Sequence, residues 1–146
     1  MSFTIAISNE KGGVAKTTST LSLGAALAEL EHRVLLIDLD PQSNLSLALG
    51  FEADEAEVTS ASVLVDNVAL KTAIRKTEVK NLDMVTSNAR IESAEQFLPM
   101  RSHYMATLRN ALQADPLPYD YILLDCPPAL GATRVEVIPQ AVRGAE

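Results

Sequence analysis

Tryptophan is absent from this 146-residue chain, and only three phenylalanines and three tyrosines take its place. The core must therefore be aliphatic, and the 47% hydrophobic content supplies it. Cysteine occurs once, at Cys126, which rules out an internal disulfide, and no Cys/His pair has the spacing of a zinc site. The two histidines, His32 and His103, fall in polar helix-end surroundings and read as solvated surface. No apolar run approaches the ~20 residues of a membrane span, and no charged-then-apolar leader opens the chain, which sets a cytoplasmic expectation. Positive charge is scarce. Twelve Lys and Arg against 19 Asp and Glu leave a net charge of −7, which argues against broad passive adhesion to nucleic acid. The best basic cluster, Lys71, Arg75, Lys76 and Lys80, is interrupted by Glu78 and reads as a solvated face. The acidic run Glu52, Asp54, Glu55 and Glu57 has neither metal-loop spacing nor a bracketing glycine, and reads as an exposed connection.

What is present is organised around residues 3–18. Phe3, Ile5 and Ile7 among Thr4, Ala6 and Ser8 predict a buried strand. From Lys16 onward, Leu23, Leu27 and Leu30 have the spacing of one helix face, so the segment between must turn the chain. Gly12 and Gly13 let that turn close around an anion with its N–H groups pointing inward. Lys16 then carries an ammonium suited to β- and γ-phosphates at the positive end of the new helix, and Thr17 stands where a magnesium-binding hydroxyl is expected. The usual phosphate-loop pattern is not met, because Glu10 and Ala15 stand where it needs glycine. By itself this stretch is also compatible with a plain Gly-Gly turn that binds nothing.

Two further segments add carboxylates. Val34 to Ile37 is a continuous apolar run, as in a strand covered on both faces, and a helix between two such strands implies a parallel crossover. Asp38 and Asp40 stand at its carboxyl end, the edge where open α/β sheets bind ligands, and Pro41 stops the strand. Tyr121 to Leu124 repeats the pattern and ends on Asp125. With a phosphate loop in the same chain, a carboxylate there suits magnesium on a nucleoside triphosphate.

Lys-Gly-Gly-x-x-Lys-Thr with the early Lys11, Asp-Leu-Asp-Pro-Gln-Ser-Asn over residues 38–44, and Asp-Cys-Pro-Pro-Ala-Leu-Gly from Asp125 together resemble the deviant Walker A ATPases of the ParA/Soj, MinD and iron-protein family. The Pro-Gln-x-Asn continuation places the likeness with ParA/Soj; MinD-like members lack it, and the iron proteins need cluster cysteines this chain does not offer. The resemblance implies a P-loop, doubly wound α/β fold with a mainly parallel sheet, spanning residues 1–146 as the amino-terminal part of a single nucleotide-binding domain. It implies ATP or ADP with Mg2+ as cofactors, cradled by Lys11, Gly12, Gly13, Val14, Ala15, Lys16, Thr17 and Thr18. Thr17, Asp38 and Asp125 form the implied metal set. Lys11 reaches across a dimer to the partner's nucleotide, Lys16 holds the phosphates and Asp40 orients or deprotonates the attacking water. Implied partners are a second copy of the chain and a centromere-binding, ParB-like protein, with nonspecific DNA binding weak here, no membrane, and a cytoplasmic, nucleoid-associated location. A truncated, catalytically weak or inactive homologue working as a nucleotide-binding or dimerisation module is the alternative.

Two departures from the family pattern are visible. Ala15 replaces a glycine, at a cost on the order of 1 kcal/mol if that position needs positive φ, and Ser43 replaces another as a mild change. Four strands are expected, starting near residues 3, 33, 81 and 119, with short helices over 60–65 and 69–75 and a final helix over 134–142. A parallel sheet cut off at that point leaves a central strand unpaired on one side.

Overall fold

The computed structural model describes residues 2–8, 14–52, 57–97, 101–127 and 134–138. In chain order the elements are β1 (Phe3–Ser8), α1 (Val14–Glu29), β2 (Val34–Asp38), α2 (Asn44–Ala48), α3 (Ser60–Val65), α4 (Leu70–Ala73), β3 (Ile74–Lys76), β4 (Leu82–Val85), α5 (Ile91–Phe97), α6 (Arg101–Ala114), β5 (Tyr121–Asp125) and β6 (Arg134–Ile138). The strands form one sheet in the order β3-β4-β2-β5-β1-β6. Its four inner strands are mutually parallel, and the two edge strands run antiparallel to their neighbours.

Strand alternation divides the core in two. Leu35 and Ile37 of β2 and Ile122 and Leu124 of β5 face one side, where Ala61 and Leu64 of α3, Leu70 of α4, Ala94 of α5 and Leu108 and Leu112 of α6 cover them. Val34, Leu36 and Leu123 face the other side, against Ala28 of α1. Val34, Leu35, Leu36 and Ile37 have no solvent exposure, which explains why β2 reads as an unbroken apolar run. Each such side chain contributes about 1.5–3 kcal/mol on burial. Gly24 lets α1 lie close on the sheet, since a Cβ there would sit 2.8 Å from Leu36 Cδ2.

The same alternation aims the functional face. Asp38 follows Leu36, and Asp125 follows Leu123, at the two-residue period of a strand, so both carboxylates fall on the side that α1 covers. They are also direct register partners across the β2–β5 ladder.

Three sequence expectations are corrected. Arg134–Ile138 is a strand, not the start of a helix: Arg134-Val-Glu-Val-Ile alternates polar and β-branched residues, and its period of two fits the ladder against β1. Consequently β1 is not left open on one side. Thr4 to Ser8 pair with Ile138 to Arg134 while the other edge of β1 pairs with β5. The helix expected over 69–75 is a single turn, α4, that runs directly into β3, whose three residues pair with β4. The expectation for 60–65 matches α3.

Candidate phosphate and carboxylate site

Lys11, Gly12 and Gly13 lie outside the described residues. Val14 is the first residue of α1, followed by Ala15, which is exposed and helical. The strain expected at Ala15 is therefore absent, and none of the positive-φ residues falls there. It falls instead at Ser43, with φ 57 and ψ 29. The other glycine replacement is thus the one that occupies the left-handed region, where an L side chain costs roughly 1–2 kcal/mol.

Helical spacing from Ala15 turns Lys16 and Thr17 inward while Thr18 stays exposed. The Lys16 ammonium lies 3.0 Å from Asp40 Oδ2 and 3.1 Å from Asp125 Oδ1, and it also donates to the carbonyl of Cys126. Thr17 donates its hydroxyl to Asp125 Oδ2 at 3.1 Å. All four side chains are buried, with Lys16 only 3% exposed. Asp125 Oδ1 has the ion pair with Lys16 and no further partner among the described residues.

Burial pulls the Lys16 pKa down, but the charges and hydrogen bonds of Asp125 and Asp40 outweigh it and hold it above its ordinary value. Asp125 is also pushed up, because burial exceeds the pull of Lys16 and Thr17. Among the described residues, no cation is paired with Asp38. Burial pushes its pKa up to about 6, against the lowering influence of Ser46 and the Asp40 N–H.

Asp38 is committed to the backbone. Its Oδ1 accepts the Asp40 N–H at 3.0 Å, and its Oδ2 accepts both the N–H and the hydroxyl of Ser46, at 3.0 and 2.7 Å. Asp40 in turn accepts the Gln42 N–H on Oδ1 at 2.9 Å, closing the polar turn that Pro41 begins. Beside this turn, Thr17, Thr18, Leu21 and Ser22 of α1 and Asn44 and Ala48 of α2 line a cavity of about 280 Å³.

The structure therefore brings Lys16, Thr17, Asp38, Asp40 and Asp125 together from three separate segments. Ser46 and Ser87 were missed. A serine two places beyond a polar loop and another at a strand end carry no local signal; only their mutual contact in the fold reveals them.

An AAA domain family profile matches residues 2–141. The chain is 41% identical over 134 residues to the sporulation initiation inhibitor protein Soj of Bacillus subtilis, covering 92% of this chain and 53% of that protein. It is 40% identical over 139 residues to the chromosome partitioning protein ParA of Caulobacter vibrioides, covering 94% and 52%. Among solved structures, cobyrinic acid a,c-diamide synthase from Mycobacterium smegmatis with bound ATP analog and magnesium superposes with a TM-score of 0.80 at 38% identity, over 89% of this chain and 54% of that one. The chain spans about half the length of each of these proteins.

Proposed function

Because the chain belongs to the AAA-domain family, alongside the ParA and Soj partition proteins, we propose that it binds ATP with magnesium, dimerises around it and hydrolyses it in plasmid or chromosome partitioning. The observation that carries this reading is the single Lys16 ammonium clamped between Asp40 and Asp125, at the first turn of a helix and at the carboxyl edge of a parallel sheet.

Each residue then has a role. Lys16 and the positive end of α1 bind the phosphates, which compete with the two carboxylates for the ammonium. Thr17 and Asp125 hold the magnesium side. The buried Asp125 Oδ1, which faces the Lys16 ammonium, and the adjacent Thr17 hydroxyl form a hard oxygen set of the kind magnesium and its waters accept. Bound there, the ion would neutralise charge on the phosphate oxygens. Asp38 adds negative charge beside Asp125 while its oxygens fix the loop. Asp40 orients the attacking water, its carboxylate facing Lys16. Lys11 completes the site from the second protomer, and a ParB-like protein stimulates turnover in the cytoplasm or on the nucleoid. With a net charge of −7, DNA contact is weak in this chain.

Because the chain spans about half of its relatives, a second reading stands beside this one: a dimerisation module gated by nucleotide without turnover. Equilibrium titration with ATP–Mg and ADP–Mg, read by calorimetry and size exclusion, tests the shared part. ATP binding that favours a dimer supports both readings, and no binding overturns both. Turnover that Asp40→Ala abolishes while binding persists selects the ATPase; binding without turnover selects the module.

A further inference from the structure

Asp40 is held by a closed ring of hydrogen bonds that engages both of its backbone polar groups. Its N–H donates to Asp38 Oδ1 at 3.0 Å; Asp38 Oδ2 receives the Ser46 hydroxyl at 2.7 Å; the Ser46 oxygen receives the Ser87 N–H at 3.0 Å; and the Ser87 hydroxyl donates to the Asp40 carbonyl at 2.8 Å. The ring ties the ends of β2 and β4 to the start of α2. Ser46 and Ser87 are 1% and 0% exposed, so water does not substitute for either partner, and hydrogen bonds in such surroundings gain strength from the low local dielectric.

We propose that Ser46 and Ser87 are positioning residues that fix Asp40 against the reacting phosphate by clamping its backbone from behind. This rests on the reading of Asp40 given above. Ser46 is central because one hydroxyl both donates and accepts, to Asp38 and from Ser87, in a space that α2 and β4 close. Alanine at 46 breaks two links at once, and threonine preserves both. The ring leaves the Asp40 side chain out of the clamp: Oδ2 meets Lys16 and Oδ1 meets the Gln42 N–H. Position and chemistry are thus assigned to different atoms of the same residue. None of the ring's bonds touches Lys16 or Thr17, so weakening it acts on the orientation of the carboxylate and not on the grip on the phosphates.

The test compares the full chain with Ser46→Ala, Ser46→Thr and Ser87→Ala. Amide exchange by NMR reads the turn directly, without nucleotide. Ser46→Ala and Ser87→Ala are expected to raise exchange at Asp40, Gln42 and Ser43 by about tenfold, the scale of one lost hydrogen bond, with the β5 amides unchanged. Ser46→Thr is expected to restore protection. With ATP–Mg, the alanine variants are expected to lose about tenfold in kcat with Kd within about twofold of the parent, a split that general loosening would not produce. Unaltered exchange at the turn in Ser46→Ala overturns the ring, and raised exchange with kcat unaffected overturns the positioning role. Should Asp40→Ala leave turnover intact, the reading of the site fails by itself, while exchange still decides the ring.

Discussion

The first turn of α1 and the turn between β2 and α2 approach the same Lys16 ammonium, but they hold their shapes by different means. In α1 the backbone is an ordinary right-handed helix. Ala15 is a good residue for it, and Thr20 bonds back to the Lys16 carbonyl at 2.9 Å without disturbing it. In the turn, Ser43 occupies a left-handed conformation and its buried hydroxyl finds no partner among the described residues. Ser43 sits where a serine ordinarily caps the next helix, yet the third N–H of α2 is taken by the Asp38 carboxylate instead. The helix is therefore self-supporting. The turn depends on charged and hydroxyl side chains brought from β2, β4 and α2. Replacing a glycine has no backbone cost in the first setting and a real one in the second.

The largest expected effect tests how far the helix side is needed by the other. Lys16→Ala leaves Asp40 and Asp125 buried without their cation, and the loss of one partner from a buried pair costs about 3–5 kcal/mol. Urea denaturation at pH 7 checks this. A cost below about 1 kcal/mol would mean that the carboxylates are satisfied without Lys16, and the two segments would be independent.

A smaller effect separates the segments by pH. Asp38, on the turn side, binds its proton more tightly in the folded chain, with a pKa near 6 against an ordinary 3.8. Between these values the native state holds more protons than the unfolded state, so stability falls as pH rises through that window and is flat with respect to this group above it. The fall is about 3 kcal/mol at 1.36 kcal/mol per unit, and Asp125 is shifted in the same direction. Lys16 stays charged throughout the window and contributes no slope. Melting between pH 4 and 7 is therefore expected to show higher stability at the acid end. A shallower slope in Asp38→Asn, whose side chain cannot titrate, would assign the lost part to the turn, the remainder belonging to Asp125.

How much of this was legible in the sequence follows from the same contrast. Lys16, Thr17, Asp38, Asp40 and Asp125 could be read because each sits at a fixed offset from a strand end or glycine turn, and strand periodicity is local. The apolar runs of β2 and β5 announced burial on both faces for the same reason. Arg134–Ile138 was misread because Val135, Val137, Ile138, Ala141 and Val142 also suit a helix face, and only pairing with β1, far off in the chain, decides for a strand. Left-handed Ser43 and helical Ala15 were inverted in importance because φ at a loop residue is set by what surrounds it. The Ser46–Ser87 link joins residues 41 positions apart, and no spacing rule reaches that far.

The smallest effects make the sharpest test, since one chemical change is expected to act with opposite sign in the two segments. Ser43→Gly releases the left-handed strain and removes a buried hydroxyl that has no partner in the described structure, while giving the unfolded chain more freedom. Strain and desolvation together exceed that entropy, so a gain of about 1 kcal/mol is expected. Ala15→Gly gains nothing, because its φ is already helical, and it loses helix propensity: a loss of about 0.5 kcal/mol, reduced from the interior value by its place in the first turn. Paired thermal melts at one pH resolve differences of this size through a shift of a few degrees in opposite directions. If both variants melt lower, Ser43 is held in its conformation at no cost, and the turn would be as relaxed as the helix it faces.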